Sequence, residues 1–261
     1  MKPLLKPDGL AALDAALARR PLLAFDFDGT LAPIVADPDH ARVPATLVPR
    51  LARLTELAAV AVISGRAVAD VAQRLQFEPH HLIGNHGAED PALDPSETKR
   101  VADEGELLLG ALRRRLADAA VTLRESGVEV EDKGHSMALH YRRAPDSARA
   151  RQAIDDVLAG HDPRLSVYGG KKVVNIVVAA APDKGKALLA LVARGRYDSA
   201  VFAGDDVNDE SVFERALPGW VTVRVGADPD SRAQWCLESI EQMPALIDRM
   251  IEVMIARRDE R

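Results

Sequence analysis

The sequence predicts an α/β protein whose core is a doubly wound, mainly parallel sheet, with a second α+β domain inserted into it. Short apolar runs alternate with amphipathic helical segments at both ends of the chain, a pattern typical of parallel strands joined by crossover helices. The middle of the chain instead shows paired strands with glycine between them, which is typical of an antiparallel sheet. We therefore expect residues 1–100 and 183–261 to form the core and residues 101–182 to form the inserted domain.

The first part of the core is expected to contain alternating helices and strands. Apolar periodicity predicts helices at 8–20, 44–59 and 68–75, and buried strands beginning at 22, 59 and 82. Every one of the longer strands is followed by a glycine-containing turn, as parallel strands before a crossover require.

The inserted domain is expected to have an α-β-β-α-β-β order. Its predicted elements are one long helix at 101–125, strands at 127–134 and 136–142, a helix at 146–159, and strands at 165–168 and 171–178. The parallel pattern then resumes with a helix at 184–194, strands at 199–203 and 220–225, and a closing helix at 243–257.

Composition limits the classes of function. The chain has 261 residues, a formal net charge of −6 and a single cysteine, Cys236. The negative charge, without a dense basic run, argues against nucleic-acid binding. Because no apolar run approaches the about 20 residues that span a bilayer, and no signal-peptide pattern precedes the first helix, we expect a cytoplasmic protein that does not bind membranes. We also expect a monomer.

Two carboxylates one residue apart follow the first buried strand. Side chains at positions i and i+2 of an extended chain point to the same side, so Asp26 and Asp28 should project together. Two such charges repel by about 4 kcal/mol at the effective dielectric near a protein surface. An isolated Asp-x-Asp-Gly is most often a simple turn, and the rest of the chain has to decide between the two interpretations.

Three further polar clusters follow or begin elements of the same sheet. They contain Ser64, Lys184, and the acidic run with Asp205, Asp206 and Asp209. Ligands of doubly wound sheets bind beyond the carboxyl ends of the strands, where these residues should meet Asp26 and Asp28. Their joint occurrence favours an active site over separate turns and helix caps.

The chemistry that these residue types fit is phosphoryl transfer through an aspartyl phosphate. Asp26 would attack phosphorus, while Asp28 would protonate the leaving oxygen and later take a proton from water. Ser64 and Lys184 would hold the non-bridging oxygens of the phosphoryl group.

A magnesium site is expected beside the nucleophile. Asp26, Asp205 and the backbone carbonyl of Asp28 would be ligands, with Asp206 and Asp209 holding metal-bound waters or steering the lysine. The available donors are oxygens, which Mg²⁺ prefers, and its charge would offset the carboxylate repulsion.

The motifs resemble those of the haloacid dehalogenase-like phosphatases. The matching strings, in order, are Asp26-Phe-Asp-Gly-Thr, Ser64-Gly-Arg, Lys184-Gly and Gly204-Asp-Asp-Val-Asn-Asp-Glu. Further strings are similar to trehalose-6-phosphate phosphatases across nearly the whole chain: Gly84-Asn-His-Gly-Ala-Glu, Val130-Glu-Asp-Lys-Gly and Leu139-His-Tyr-Arg.

This resemblance implies a Rossmann-like catalytic core, a cap that closes over a sugar phosphate, and release of trehalose and phosphate as the last step of trehalose synthesis. It assigns Lys133 to the phosphate and Glu131 to sugar hydroxyls, with His140 packed inside the cap. Further implied substrate-binding residues are Gly65, Arg66, Asn85, His86 and Asn175.

One position departs from the family pattern. Asn175 stands where the family usually has a glutamate, and an amide carries no charge and donates as well as accepts hydrogen bonds. The same chemistry on another sugar phosphate therefore stays open. A phosphate-accepting receiver domain is a more remote alternative, because it needs neither the second aspartate nor an inserted domain and is usually half this size.

Overall fold

The computed structural model describes residues 1–35, 37–132, 136–170, 172–179 and 182–259. The chain divides into two compact units, which we call the core unit (Met1–Pro91 and Pro182–Arg261) and the cap unit (Ala92–Ala181). The predicted α/β class with a mainly parallel core sheet is confirmed. None of the helices within the described residues combines the length and apolar content needed to cross a membrane.

The elements follow one another along the chain with short connections. Those before the cap unit are β1 (Lys2–Pro3), α1 (Pro7–Leu17), β2 (Pro21–Phe25), α2 (Val48–Thr55), β3 (Ala59–Ile63), α3 (Val68–Leu75) and β4 (His81–Ile83). Those of the cap unit are α4 (Pro95–Asp118), α5 (Ala120–Glu125), β5 (Glu129–Asp132), β6 (Ser136–His140), α6 (Ser147–Leu158), β7 (Leu165–Gly170) and β8 (Val173–Val178). The remaining ones are α7 (Lys184–Gly195), β9 (Ser199–Gly204), α8 (Glu210–Glu214), β10 (Val221–Val225), β11 (Trp235–Leu237) and α9 (Met243–Asp259).

The strands of the core unit form one parallel sheet in the order β1-β11-β10-β9-β2-β3-β4. Strand β2 is buried along its whole length, as an apolar strand covered on both faces should be. The chain runs from β2 toward β4 on one side and returns through β9 on the other. This reversal of strand order next to β2 is the position at which doubly wound sheets bind ligands.

The cap unit contains an antiparallel sheet in the order β5-β6-β8-β7. Its core is made by alternate apolar residues of the strands, such as Val174 and Ile176, packed against Leu109 and Leu112 of α4 and Ile154 of α6. The helices therefore cover one face of this sheet, and the intervening residues point to the opposite face.

Some element boundaries differ from the sequence prediction for identifiable reasons. Helix α4 begins at Pro95, earlier than expected, because the Asp94 carboxylate accepts a hydrogen bond from the Ser96 amide at 2.8 Å and caps the first turn. The long helix expected over 101–125 is interrupted at Ala119, which has φ −91° and ψ 4°. Two strands, β1 and β11, were not predicted because each is only two or three residues long.

Candidate active site

Polar residues predicted to act together come directly after neighbouring strands of the core sheet. Asp26 follows β2, Ser64 follows β3 and Asp205 follows β9. Since β2 lies between β9 and β3, the carboxyl end of β2 brings Asp26 between the other two positions. The Asp26 amide continues the pairing by donating to the Ala203 carbonyl at 2.9 Å.

Three carboxylates meet at this edge and are called the acidic cluster below: Asp26, Asp205 and Asp209. One oxygen of each lies within 4.8 Å of the others. Asp26 and Asp209 are almost completely shielded from solvent, with 4% and 0% of their surface exposed. Burial of like charges at this spacing is costly unless cations balance them.

Lys184 supplies a positive charge to the acidic cluster. It is the first residue of α7 and is itself buried. Its Nζ donates to Asp209 Oδ1 at 2.7 Å and lies 2.8 Å from Asp26 Oδ1. Burial lowers the pKa of the Lys184 ammonium, but Asp209 and Asp26 outweigh burial and raise that pKa above its ordinary value. The lysine is therefore charged and held between the two carboxylates.

Two glycines allow the acidic cluster to close. Gly29 has φ +78°, and a Cβ at this position would lie 2.0 Å from a carboxylate oxygen of Asp205. A Cβ at Gly204 would lie 2.4 Å from the Asp209 carboxyl carbon. Any larger residue at either position would push an acidic side chain out of place.

The electrostatics of the cluster favour an added cation. Burial, followed by the charges of Asp209 and Asp206, raises the pKa of Asp205 to about 6, although the Thr30 hydroxyl donates to Asp205 Oδ1 at 3.2 Å. Burial also raises the pKa of Asp26, against the opposing charge of Lys184. The donors are carboxylate oxygens, which suit a hard divalent ion such as Mg²⁺. The residues present therefore fit the magnesium site that the sequence predicts.

The acidic run after β9 is held by its own hydrogen bonds. Asp206 accepts from the Val207 amide at 2.7 Å and from the Asn208 side chain at 2.8 Å, while Asp209 Oδ2 accepts from the Asp206 amide at 2.9 Å. Arg224 of β10 donates to the Asp206 carbonyl at 2.8 Å. Asp209 thus steers the lysine as one of the two expected alternatives, and the role of Asp206 around a metal stays a prediction.

Asp28 lies beside the acidic cluster in sequence but has a different partner. Both of its carboxylate oxygens accept hydrogen bonds from Arg66, at 2.6 Å from Nε and at 2.8 Å from Nη2. The Asp28 side chain is 39% exposed, so water can reach it. Arg66 was predicted to bind substrate, and in the structure its guanidinium binds Asp28 and Asp70.

Ser64 is fully buried at the end of β3. Its hydroxyl accepts a hydrogen bond from the Arg66 amide at 3.1 Å, and its carbonyl accepts from the His86 amide at 2.9 Å. Its predicted contact with phosphate has no counterpart in this ligand-free structure and stays a prediction.

The loop after β4 packs directly against the Ser64-Gly-Arg turn. A Cβ at Gly65 would lie 2.4 Å from the His86 ring, so glycine is required for this close approach. Asn85 and His86 adopt left-handed backbone angles, with φ 48° and 56°. The Asn85 side chain donates to Glu89 at 3.1 Å. These residues lie beside Ser64 as one structured loop.

Two of the predicted cap residues lie on the face of the cap sheet that the helices leave uncovered. Glu131 and Asn175 are in the same row of the strand register, with Ala138 between them. Glu131 Oε2 lies 2.9 Å from His140 Nε2, and the His140 side chain is 42% exposed. The expectation that His140 is packed inside the cap is therefore wrong, because the strand alternation turns it away from the helices. Lys133 lies outside the described residues.

The sequence prediction missed the residues that hold the predicted ones. Asp183 caps α7 by accepting from the Lys186 amide at 2.8 Å, which fixes the start of the helix that carries Lys184. Asp70 binds Arg66 from the first turn of α3, and the four-residue spacing of the two was a signal that could have found it. Thr30 was part of a quoted motif but had no assigned role.

Comparisons with known proteins agree with this geometry. Residues 24–234 match the family model described as trehalose-phosphatase. A trehalose-phosphate phosphatase of Mycobacterium tuberculosis is 32% identical over 266 residues, covering 94% of this chain and 65% of the relative. That of Mycobacterium ulcerans is 34% identical over 249 residues, covering 90% and 62%. The chain therefore spans less than two thirds of the length of the curated relatives that it matches.

A solved structure shares the fold. The trehalose-6-phosphate phosphatase of Aspergillus fumigatus has 24% sequence identity and a TM-score of 0.67, covering 97% of this chain and 99% of that one. The resemblance found in the motifs is thus confirmed over most of the sequence, the catalytic core and the cap included. The chain belongs to the trehalose-phosphatase family.

Proposed function

We propose that this protein hydrolyses trehalose 6-phosphate to trehalose and inorganic phosphate, through an aspartyl phosphate on Asp26 and with Mg²⁺. The observation that carries the proposal is the acidic cluster bound to Lys184 at the edge of the core sheet, in a chain of the trehalose-phosphatase family. This combination of a held nucleophile, a cation and oxygen donors suits phosphoryl transfer.

Asp26 is the nucleophile in this mechanism. Its oxygen forms a bond to phosphorus while the bond from phosphorus to the sugar oxygen breaks. The pairing of Oδ1 with Lys184 supports this role, because it fixes the carboxylate in one orientation before substrate arrives. Lys184 and Ser64 stabilise the non-bridging oxygens as charge spreads over them.

Asp28 is the general acid and base. It gives a proton to the departing sugar oxygen, which is a poor leaving group as an alkoxide, and it later takes a proton from the attacking water. That water forms a bond to phosphorus as the bond to Asp26 breaks. The partial exposure of Asp28 supports the role, since its proton can be exchanged with solvent between turnovers.

The residues that would hold Mg²⁺ are Asp26, Asp205 and the Asp28 carbonyl, with Asp206 and Asp209 around them. When bound, the ion would neutralise charge on the phosphoryl oxygens and the carboxylates. The convergence of Asp26, Asp205 and Asp209 and the raised pKa of Asp205 support this assignment.

Residues 101–182 act as a substrate lid, and Glu131, Lys133 and Asn175 recognise the sugar. The position of Glu131 and Asn175 in one row of the uncovered cap face supports a shared ligand. Gly65, Arg66, Asn85 and His86 border the phosphate site. We place the reaction in the cytoplasm, as the last step of trehalose synthesis, and expect a monomer.

The test is phosphate release from a panel of sugar phosphates, each with Mg²⁺ and with EDTA. The panel contains trehalose 6-phosphate, sucrose 6-phosphate, glucose 6-phosphate and glucosylglycerol phosphate. We expect the first to have the highest kcat/KM, and EDTA to abolish turnover until Mg²⁺ is restored. Metal-independent turnover would reject the metal site.

Two outcomes would replace the proposal. Preference for another member of the panel would keep the chemistry and change the substrate, which Asn175 makes the second candidate. Absence of turnover on all members, together with a stable phosphorylated protein formed from acetyl phosphate, would instead indicate a receiver-type signalling domain. Asp26→Asn serves as the control, because it should abolish both signals.

A further inference from the structure

The general acid and base of the proposed mechanism lies at one end of a series of alternating charges, which we call the Arg66 clamp. Its members are Asp28, Arg66, Asp70 and Arg74. The Arg66 guanidinium donates to both oxygens of Asp28 through Nε and Nη2, at 2.6 and 2.8 Å, and to Asp70 Oδ2 through Nη1, at 3.0 Å. Arg66 thus binds one carboxylate on each side.

Asp70 is itself held from behind. Arg74, one helical turn further along α3, donates from Nε to Asp70 Oδ1 at 2.7 Å. The Arg74 side chain is only 8% exposed, and its Nη1 donates to the carbonyls of Asp39 and Pro38 at 2.6 and 3.2 Å. Arg66 Nη2 also donates to the Pro38 carbonyl, at 3.0 Å. The clamp is therefore fixed to both helix α3 and the loop before α2.

This arrangement orients Asp28 more strictly than a single hydrogen bond would. A two-pronged pair of guanidinium and carboxylate sets the plane of the carboxylate as well as its distance. The guanidinium of Arg66 also lies over the ring of buried Phe27, 5.6 Å from its centroid. Each Asp28 oxygen keeps a further lone pair for a proton, because an ionised carboxylate can accept about four hydrogen bonds.

The charges of the clamp are stable. Hydrogen bonding to Arg74, and then to Arg66, keeps the pKa of Asp70 below its ordinary value. Hydrogen bonding to Asp28 raises the pKa of Arg66 above its ordinary value. The attraction within the clamp is therefore maintained across the pH range in which phosphatases are assayed.

We infer that Arg66 is a positioning residue that orients the Asp28 carboxyl group toward the leaving oxygen, and that Asp70 and Arg74 hold Arg66 in place. The inference rests on the proposed function of Asp28 as general acid and base. In the first step the proton moves from Asp28 to the sugar oxygen as the bond from Asp26 to phosphorus forms. In the second it moves from water to Asp28 as that bond breaks. Arg66 exchanges no proton in either step.

The test compares substrates that differ in their need for a proton donor. Trehalose 6-phosphate releases an alcohol, which must be protonated, whereas 4-nitrophenyl phosphate releases a stable phenolate. In Arg66→Lys, we expect kcat/KM to fall by about 10- to 100-fold on trehalose 6-phosphate and by less than about 3-fold on 4-nitrophenyl phosphate. Asp70→Asn, which keeps Arg66, should show the same selective loss at about 3- to 10-fold.

Arg249→Lys is the matched control. Arg249 also binds both oxygens of one carboxylate, that of Asp14, at 3.2 and 2.5 Å, but it lies on α9 and outside the candidate site. The control should keep wild-type kcat/KM on both substrates. Thermal melting of each variant separates a loss of folding from a loss of positioning.

A double mutant tests whether Arg66 acts through Asp28. Asp28→Asn should itself lower kcat/KM selectively on trehalose 6-phosphate, and adding Arg66→Lys should then cause no further loss. Equal losses on both substrates, or losses that multiply in the double mutant, would overturn the inference, because Arg66 would then act on the phosphate or the fold.

Failure of the proposed function has a different signature. If trehalose 6-phosphate is not turned over, the same comparison uses the sugar phosphate that the panel identifies, and the inference is judged on that ratio. If Asp28→Asn leaves the ratio between the two substrates unchanged, the acid and base role itself fails and the positioning role fails with it. A selective loss in Asp28→Asn without one in Arg66→Lys rejects the positioning role alone.

Discussion

The acidic cluster of the core unit and the Glu131 and His140 pair of the cap unit contain ion pairs of similar length in opposite environments. Lys184 lies 2.8 Å from Asp26 and both side chains are at most 5% exposed. Glu131 lies 2.9 Å from His140 and both side chains are more than 40% exposed. Breaking a buried pair costs about 3–5 kcal/mol, and an exposed pair contributes about 1 kcal/mol or less. Burial therefore restricts change in the cluster that carries the chemistry, and exposure permits change on the surface proposed to select the sugar.

The largest effect is expected from a change at the nucleophile. Asp26→Asn should lower kcat by about 10⁵- to 10⁶-fold, because an amide does not form the aspartyl phosphate. The substitution also leaves Lys184 with one fewer carboxylate partner. Steady-state phosphate release measures the effect, and Asp248→Asn, which removes an exposed carboxylate bound to Arg50, is the control. Residual turnover within a thousandfold of wild type would contradict covalent catalysis by Asp26.

A smaller effect, of opposite sign for stability, is expected at Asp205. Its pKa is about 6 in the folded protein against the ordinary 3.8, chiefly because of burial. A raised folded pKa means that the contribution of this group is most favourable below pH 4 and is lost as the pH rises through 6. In EDTA, Asp205→Asn should therefore be more stable than wild type above pH 7, by on the order of 1–3 kcal/mol.

Denaturant unfolding in EDTA at pH 7.5 and at pH 5 checks this prediction. The gain should shrink at pH 5, where much of the wild-type Asp205 is already protonated in the folded state. Loss of activity in the same variant would show a carboxylate kept at a cost in stability. A gain of equal size at both pH values would mean that packing, and not charge, separates the variants.

The fold was predictable where a local pattern determines it. The buried strands β2 and β9 and the motifs at their ends carry strong apolar and acidic signals, so the meeting of Asp26 and Asp205 could be expected from sheet geometry. The short strands β1 and β11 could not, because their pairing depends on neighbours far along the chain. Neither could the direction of His140, which depends on the register of β5 with β6.

The supporting contacts of the site were the least predictable part. The hydrogen bond from Thr30 to Asp205 joins residues that are 175 positions apart, and no local periodicity encodes it. Arg66 illustrates the same limit, since its motif suggested a ligand contact while the structure gives it two carboxylate partners on the protein. Motifs thus identify which residues take part, and the fold decides which of them touch.

The smallest effect is expected on the cap sheet. Glu131→Gln should raise KM for trehalose 6-phosphate by about 3- to 10-fold, because a neutral amide binds sugar hydroxyls more weakly than a carboxylate does. We expect kcat and the kinetics on 4-nitrophenyl phosphate to stay unchanged, and the melting temperature to move little, since the bond to His140 is exposed. Glu106→Gln, which removes an exposed carboxylate bound to Arg113 on α4, is the control in the same unit. An equal rise in KM for both substrates would assign Glu131 to the phosphate or to the fold, and would remove the distinction between a buried reaction centre and an exposed selective surface.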